Sequence, residues 1–193
     1  IIDAVEGKLG TPLIDSAVLI AEKDDATQRI KNDGLGTDPL NLNPRHLLIL
    51  EKGKAGYVRK GHSAEFLPSE GSTESPCLAD PLDEGGIAIA HGVLTIRLHY
   101  WLSCGSWSVS DATFYFRAEK GRHRLIGYDR ASFARNGGTG EEISINYLSG
   151  RKKLTTGISV FEAEPGETAP KQKIVWKRVG VQRYYLDTMD RRA

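Results

Sequence analysis

Three X-Gly pairs set between runs of alternating apolar residues constrain this chain most. His91-Gly92 lies between Gly86–Ala90 and residues 93–100. Read as a two-residue turn, it sets Ala90 opposite Val93, Ile89 opposite Leu94 and Ile87 opposite Ile96. The register therefore pairs apolar with apolar, as a hairpin requires. Leu94, Ile96, Leu98 and Tyr100 share one face of the second strand, and Thr95, Arg97 and His99 take the other, the signature of a half-buried strand. A second turn at Lys120-Gly121 sets Phe116 against Leu125 and Phe114 against Gly127, with Ala112, Phe114 and Phe116 facing the core. A third at Ser149-Gly150 pairs Ile145 with Leu154. Successive X-Gly turns between alternating strands predict an antiparallel meander.

Further strands are expected over 13–21, 45–51 with a hairpin partner at 56–60, 142–148 and 173–179. Long polar segments at 23–44, 67–85 and 162–172 read as mobile loops. Short helical turns are expected near 25–30 and 131–135. The fold class is mainly β, a single domain over 1–193 whose meander curls into a sheet, barrel or sandwich with few short helices.

Composition removes several function classes. Apolar residues make up 39% of the 193 and the net charge is +1, which excludes a disordered chain. No apolar run reaches the length of a membrane-spanning helix. The small net charge argues against a whole-surface grip on nucleic acid. It hides an asymmetry, because residues 1–90 carry 15 acids and 9 bases, and residues 91–193 carry 10 acids and 17 bases. The plain reading of that division is a solvated surface whose charges mix again in the fold; the alternative is a charged partner docking on one side.

Cys77 and Cys104 are the only cysteines, and neither belongs to a C-x-x-C pair. Two loop cysteines in a β-rich chain are expected to be bridged in an oxidising compartment; two free thiols are the reading for a reducing one. The chain starts Ile1-Ile2-Asp3 without Met, as a removed signal peptide or a trimmed end would both leave it, and it holds no Asn-x-Ser/Thr sequon. These features favour a bacterial periplasmic or secreted protein.

No catalytic, cofactor-binding or metal-binding set is assigned. His99 near Cys104 would make a thiolate nucleophile only if Cys104 were free. The five histidines, His46, His62, His91, His99 and His123, show no metal-ligand spacing, although separate strands would allow some to converge. Asp80, Asp83 and Glu84 read as turn chemistry before a calcium loop. Gly137-Gly138-Thr139-Gly140 lacks the Lys-Ser/Thr of a phosphate loop. The basic, aromatic C-terminal stretch (Lys171, Lys173, Trp176, Lys177, Arg178, Arg183, Tyr184, Tyr185, Arg191 and Arg192) reads as a charge-protected edge strand and tail before a nucleic-acid grip. The candidate binding surface is Arg97, His99, Trp101 and Trp107.

Several runs carry a resemblance. Tyr100-Trp101-Leu102-Ser103-Cys104-Gly105-Ser106-Trp107, Phe116-Arg117 with Arg124-Leu125-Ile126-Gly127-Tyr128-Asp129, and Ser144 through Lys153 are among them. With Pro44-Arg45-His46-Leu47-Leu48-Ile49-Leu50, they resemble a family of uncharacterised bacterial secreted or periplasmic β-rich proteins. Some members begin with a stretch like an FG-GAP (integrin-propeller-type) repeat. The resemblance spans roughly residues 9–160 and implies export without implying an activity. Where that repeat carries an Asp-rich loop, this chain keeps only Asp15, so calcium is not expected there. The resulting expectation is an exported, non-enzymatic binding domain for a protein or cell-envelope partner, of inhibitor or immunity type, with no nucleic acid and no membrane span. The alternative is a small envelope hydrolase whose site assembles only in three dimensions.

Overall fold

The computed structural model describes residues 1–10, 12–161 and 171–189. Thirteen strands follow in order: β1 (Asp3–Leu9), β2 (Ile14–Glu22), β3 (Arg29–Ile30), β4 (Leu40–Asn41), β5 (Arg45–Gly53), β6 (Gly56–Ser63), β7 (Gly86–Ala90), β8 (Val93–Trp101), β9 (Ser108–Glu119), β10 (Arg122–Ala134), β11 (Thr139–Asn146), β12 (Arg151–Ser159) and β13 (Lys173–Arg178). They build a four-stranded sheet ordered β1-β2-β5-β6 and a seven-stranded sheet ordered β13 to β7, with β3 and β4 forming a small ribbon. Every strand pair is antiparallel.

The two large sheets face each other as a sandwich, and neither closes into a barrel. The core is their shared interior. Val18, Ile20, Leu47 and Ile49 from one sheet meet Leu94, Ile96, Leu98, Ala112, Phe114 and Phe116 from the other. Phe66, on the connection after β6, plugs the space with its ring edge-on to Phe114 (4.9 Å) and Phe116 (5.4 Å). At one side the sheets touch edge to edge: a parallel bridge joins Leu9 to Gly92, and Gly7 lies so near Ile89 that a Cβ there would sit 2.7 Å from its Cγ2. The strands β11–β13 run past the sandwich as a thinner, more exposed wing, with the basic β13 on its edge.

The first two hairpins form with the expected turns. His91 and Gly92 have φ of 51° and 78°, and Lys120 and Gly121 have 52° and 77°, the paired positive values of a type I′ turn. Ala90, Ile89 and Ile87 pair with Val93, Leu94 and Ile96. Three local expectations are corrected. Phe114 does not face Gly127: a bulge at Ile126 shifts the register, so Gly127 meets Tyr115 and Tyr128 meets Phe114. Ile145 pairs with Lys152, not Leu154, because the Asn146 side chain accepts the backbone N–H groups of Leu148 and Ser149 and opens the turn into a four-residue loop. Residues 131–135 are not helical; 131–134 finish β10, all paired to β9 and 131–133 also to β11. The sequence reading also overlooked β1. In the segment 23–44, a 3-10 turn at Ala26–Gln28, capped by Asp25, leads into the β3–β4 ribbon. Most of the expected loop at 162–172 lies outside the described residues.

The buried Arg45 stitches the second long loop to the sandwich. Its Nε donates to Glu22 (2.8 Å) and its two terminal nitrogens donate to Asp80 (2.5 and 2.6 Å). Cys77 is bonded to Cys104, with Cα atoms 5.5 Å apart. Closing a span of 27 residues stabilises the fold by about 3–4 kcal/mol in the chain-entropy account.

Candidate functional site

Alternation along β8 turns Leu94, Ile96 and Leu98 into the core and leaves Arg97, His99 and Trp101 on the outer face of the seven-stranded sheet. The β8–β9 register sets Asp111 directly opposite His99. Arg97 Nε and Nη2 reach the same Asp111 oxygen at 3.1 and 2.8 Å, and His99 Nδ1 meets it at 3.0 Å. Burial pushes the Asp111 pKa up, but the hydrogen bonds from His99 and Arg97, with Arg97's charge, outweigh it and hold the group below its ordinary value. The other His99 nitrogen is 3.6 Å from Glu84, and its backbone N–H donates to Pro81. The loop after Asp80 therefore wraps the imidazole. Its free nitrogen faces a carboxylate rather than a hydroxyl to be activated. Cys104 is bonded to Cys77, so it offers no thiolate.

Farther along this face, Trp101 and Trp107 share one cation. The Arg135 guanidinium lies 3.9 Å from the Trp101 ring centroid and 5.5 Å from that of Trp107. Two backbone carbonyls, of Leu102 and Ser106, accept from Arg135 Nη2 at 2.7 and 2.8 Å, and the Arg135 N–H donates to the Trp107 carbonyl. The segment 102–107 is fastened from the opposite side by the disulfide, by Ser103 N–H to Cys77 O (2.9 Å), and by a Leu78–Leu102 bridge. Trp101 remains 36% exposed and Trp107 62% exposed, so two fixed indoles stand open to solvent. A cavity of about 370 Å³ lies between this loop and Arg135.

Beside the His99 cluster, a trough of about 330 Å³ runs over the small Ala131, bordered by Asp111, Asp129 and Glu142. Asp129 accepts from the Tyr115 hydroxyl at 2.9 Å.

All four residues of the expected surface thus belong to one face. Arg97 and His99 converge on Asp111, and Trp101 and Trp107 bracket Arg135. Sequence reasoning missed Asp111 and Arg135, and read Glu84 as turn chemistry without placing it beside His99. The turn residues of 102–107 do not fix the register of β9, and no local signal places Arg135 beside Trp101. The three acids of the loop at 80–84 diverge, with Asp80 on Arg45 and Glu84 towards His99. In the wing, Arg151 lies 5.7 Å over Trp176; Arg191 and Arg192 are outside the described residues. His123 is buried against β6 and His91 sits in a turn, whereas His46 and His62 meet. Among the described residues no group of three or more His, Cys, Asp or Glu side chains is gathered for a metal, and no helix is long and apolar enough to cross a membrane.

Fold and site together define a class: a two-sheet antiparallel β protein with a disulfide-anchored aromatic and basic outer face. The chain matches no family model, no curated protein and no solved structure.

Proposed function

We propose that this protein is a non-enzymatic binding module, exported in a bacterium to the periplasm or beyond, that docks a protein or cell-envelope partner through the outer face of its seven-stranded sheet. An inhibitor or immunity role is one form of that activity. The observation that carries the reading is the Trp101–Arg135–Trp107 clamp. Tryptophan and arginine dominate the energetics of protein interfaces. Anchors already held in place avoid much of the ordering cost of association. Here the disulfide, the carbonyl contacts of Arg135 and the bridge to Leu78 do that holding. Around the clamp, Arg97, His99, Asp111 and Glu84 supply a charged rim. The disulfide fits an oxidising compartment, and the resemblance to exported bacterial β-rich proteins supports the same location.

The trough lined by Asp111, Asp129 and Glu142 favours a second reading, a small envelope hydrolase. A general acid needs a carboxyl kept protonated near neutral pH. Asp111 is displaced in the opposite direction.

Affinity capture from envelope extract tests the proposal. The intact chain is compared with the Trp101→Ala/Trp107→Ala double variant. The reading expects a partner retained by the intact chain and lost by the variant at unchanged stability. Equal retention by both, or hydrolysis of envelope polymers that stops in Asp129→Asn or Glu142→Gln, would overturn it.

A further inference from the structure

Residues paired directly across antiparallel strands share a face. One row of such partners runs His99, Asp111, Ala131, Glu142, Thr155 and Ile174, and the next runs Arg97, Thr113, Asp129, Ser144, Lys153 and Trp176. Ile174 and Trp176 of the edge strand β13 therefore stand on the outer face, 52% and 61% exposed. Beside them lie two like-charged pairs in register: Arg151 opposite Arg178, and Lys152 opposite Lys177 on the reverse face. Like charges directly opposite each other destabilise a sheet. Among the described residues none of Arg151, Lys152, Lys153, Lys177 and Arg178 forms an ion pair. Arg151 instead lies 5.7 Å over the Trp176 ring. No Asp or Glu occurs in 143–160 or 171–186, and the next acids in sequence, Glu162, Glu164 and Glu167, belong to the connection that joins β12 to β13 at their opposite end. Edge protection alone does not account for this, since it needs charges only on the edge, and the interior strand β12 carries three of the five. Apolar side chains border the cations. The β11–β12 loop packs on the segment after β13: the Val179 N–H donates to Gly150 O at 2.9 Å, and a Cβ on Gly150 would sit 2.7 Å from the Gly180 carbonyl carbon. That contact brings exposed Leu148 and Val181 to the same end as Arg151 and Arg178.

We propose that this end of the β12–β13 wing docks on a bilayer surface rich in anionic phospholipid, its cations among the phosphates and its apolar side chains at the acyl boundary. Interfacial anchors combine Trp and aliphatic side chains with Lys and Arg in this way. The indole ring suits the headgroup level, apolar over its body and polar at its N–H. Five cations match a surface of negative charge, and each Lys or Arg near such a surface strengthens binding about fivefold. The aliphatic border selects lipid over other polyanions. Ile174, Leu148 and Val181 have no ring to stack on a base or a sugar, as a single-strand grip would require, and they gain only where water is excluded. The long stems of Lys152, Lys153 and Lys177 let their ammonium groups reach headgroups from both faces of the wing. The proposal does not rest on the Trp101–Arg135–Trp107 clamp, and none of the clamp residues belongs to the wing.

The test is cosedimentation of the full, disulfide-bonded chain with vesicles of phosphatidylcholine, with and without phosphatidylglycerol. Binding is expected only to the anionic vesicles, and weaker as salt rises. Arg151→Gln/Arg178→Gln removes one like-charged pair, so it should fold at least as well and bind at least about tenfold more weakly. Lys54→Gln/Arg59→Gln, the same change in net charge among exposed residues of the other sheet, should leave binding nearly unchanged. Lipids with brominated acyl chains should quench tryptophan fluorescence in the intact chain and not in Trp176→Phe. Absence of binding to anionic vesicles, equal weakening by the two charge variants, or quenching retained in Trp176→Phe would overturn the site. So would soluble polyphosphate that binds while anionic vesicles do not.

Discussion

Replacing Arg45 with methionine should be among the most damaging single changes to the sandwich. Arg45 is 2% exposed, and the carboxylates of Glu22 and Asp80 beside it are each 15% exposed. Methionine keeps most of the apolar stem and removes three charge-assisted hydrogen bonds, leaving two half-dry carboxylates facing each other. Breaking a buried pair in this way costs about 3–5 kcal/mol, most of it from the charges left behind. In a domain of this size that lowers the melting temperature by roughly 6–20 °C. The triple change Arg45→Met with Glu22→Gln and Asp80→Asn removes the stranded charges and should recover at least half of the loss. Asp80→Asn alone gives an intermediate loss if the methionine variant does not fold. Urea unfolding with the disulfide intact measures all three. The pH response follows. Burial raises the Asp80 pKa, and its hydrogen bonds to Arg45 and to the Leu82 N–H outweigh that and hold it below its ordinary value. Its stabilisation is therefore present above the unfolded carboxyl's pKa and lost as pH falls through the lower, folded one. An Arg45→Met loss under about 1 kcal/mol, or a triple variant no better than the single, would refute the reasoning.

Three further outcomes are expected. His123 is 4% exposed and burial pushes its pKa down to about 4, so stability should be full above pH 6.5 and fall towards pH 4, by up to about 3 kcal/mol; His123→Leu should flatten that slope in acid titrations of folding, and an unchanged slope counts against it. Cys77→Ser with Cys104→Ser should cost about 3–4 kcal/mol in urea and loosen 102–107, read as a loss of near-ultraviolet dichroism from Trp101 and Trp107; an unaltered spectrum would mean the bridge does not hold the clamp. Gly7→Val drives a side chain into Ile89 at the seam of the sheets and should cost about 1–3 kcal/mol by thermal melting, whereas a neutral effect would mean that the β1–β7 contact is loose.

The hairpins at His91-Gly92 and Lys120-Gly121 were legible because the turn chemistry, the glycine and the apolar alternation are all local and agree. What stayed hidden required long-range information. The bulge at Ile126 moves Gly127 from Phe114 to Tyr115, and nothing in the neighbouring residues specifies one extra residue there. In β1, Asp3, Glu6, Gly7 and Lys8 dilute the apolar alternation; the strand is held by β2 and by the seam with β7. The sequence pattern placed Thr95, Arg97 and His99 on one face, and the same alternation carries on to Trp101. Asp111 and Arg135 are joined to that face, and Asp80 to Arg45, across 12 to 35 residues, distances at which one-dimensional periodicity carries no signal. The His46–His62 contact is hidden for the same reason, since a bulge between Ile49 and Leu50 sets its geometry.

Hydrogen exchange on the complex with the captured partner tests the binding face most directly. Slowed exchange concentrated in 97–111 and around Arg135, with protection weakened at least about tenfold in affinity by Trp101→Ala/Trp107→Ala, is the predicted result. Protection confined to the four-stranded sheet, with the double variant binding as tightly as the intact chain, would contradict it.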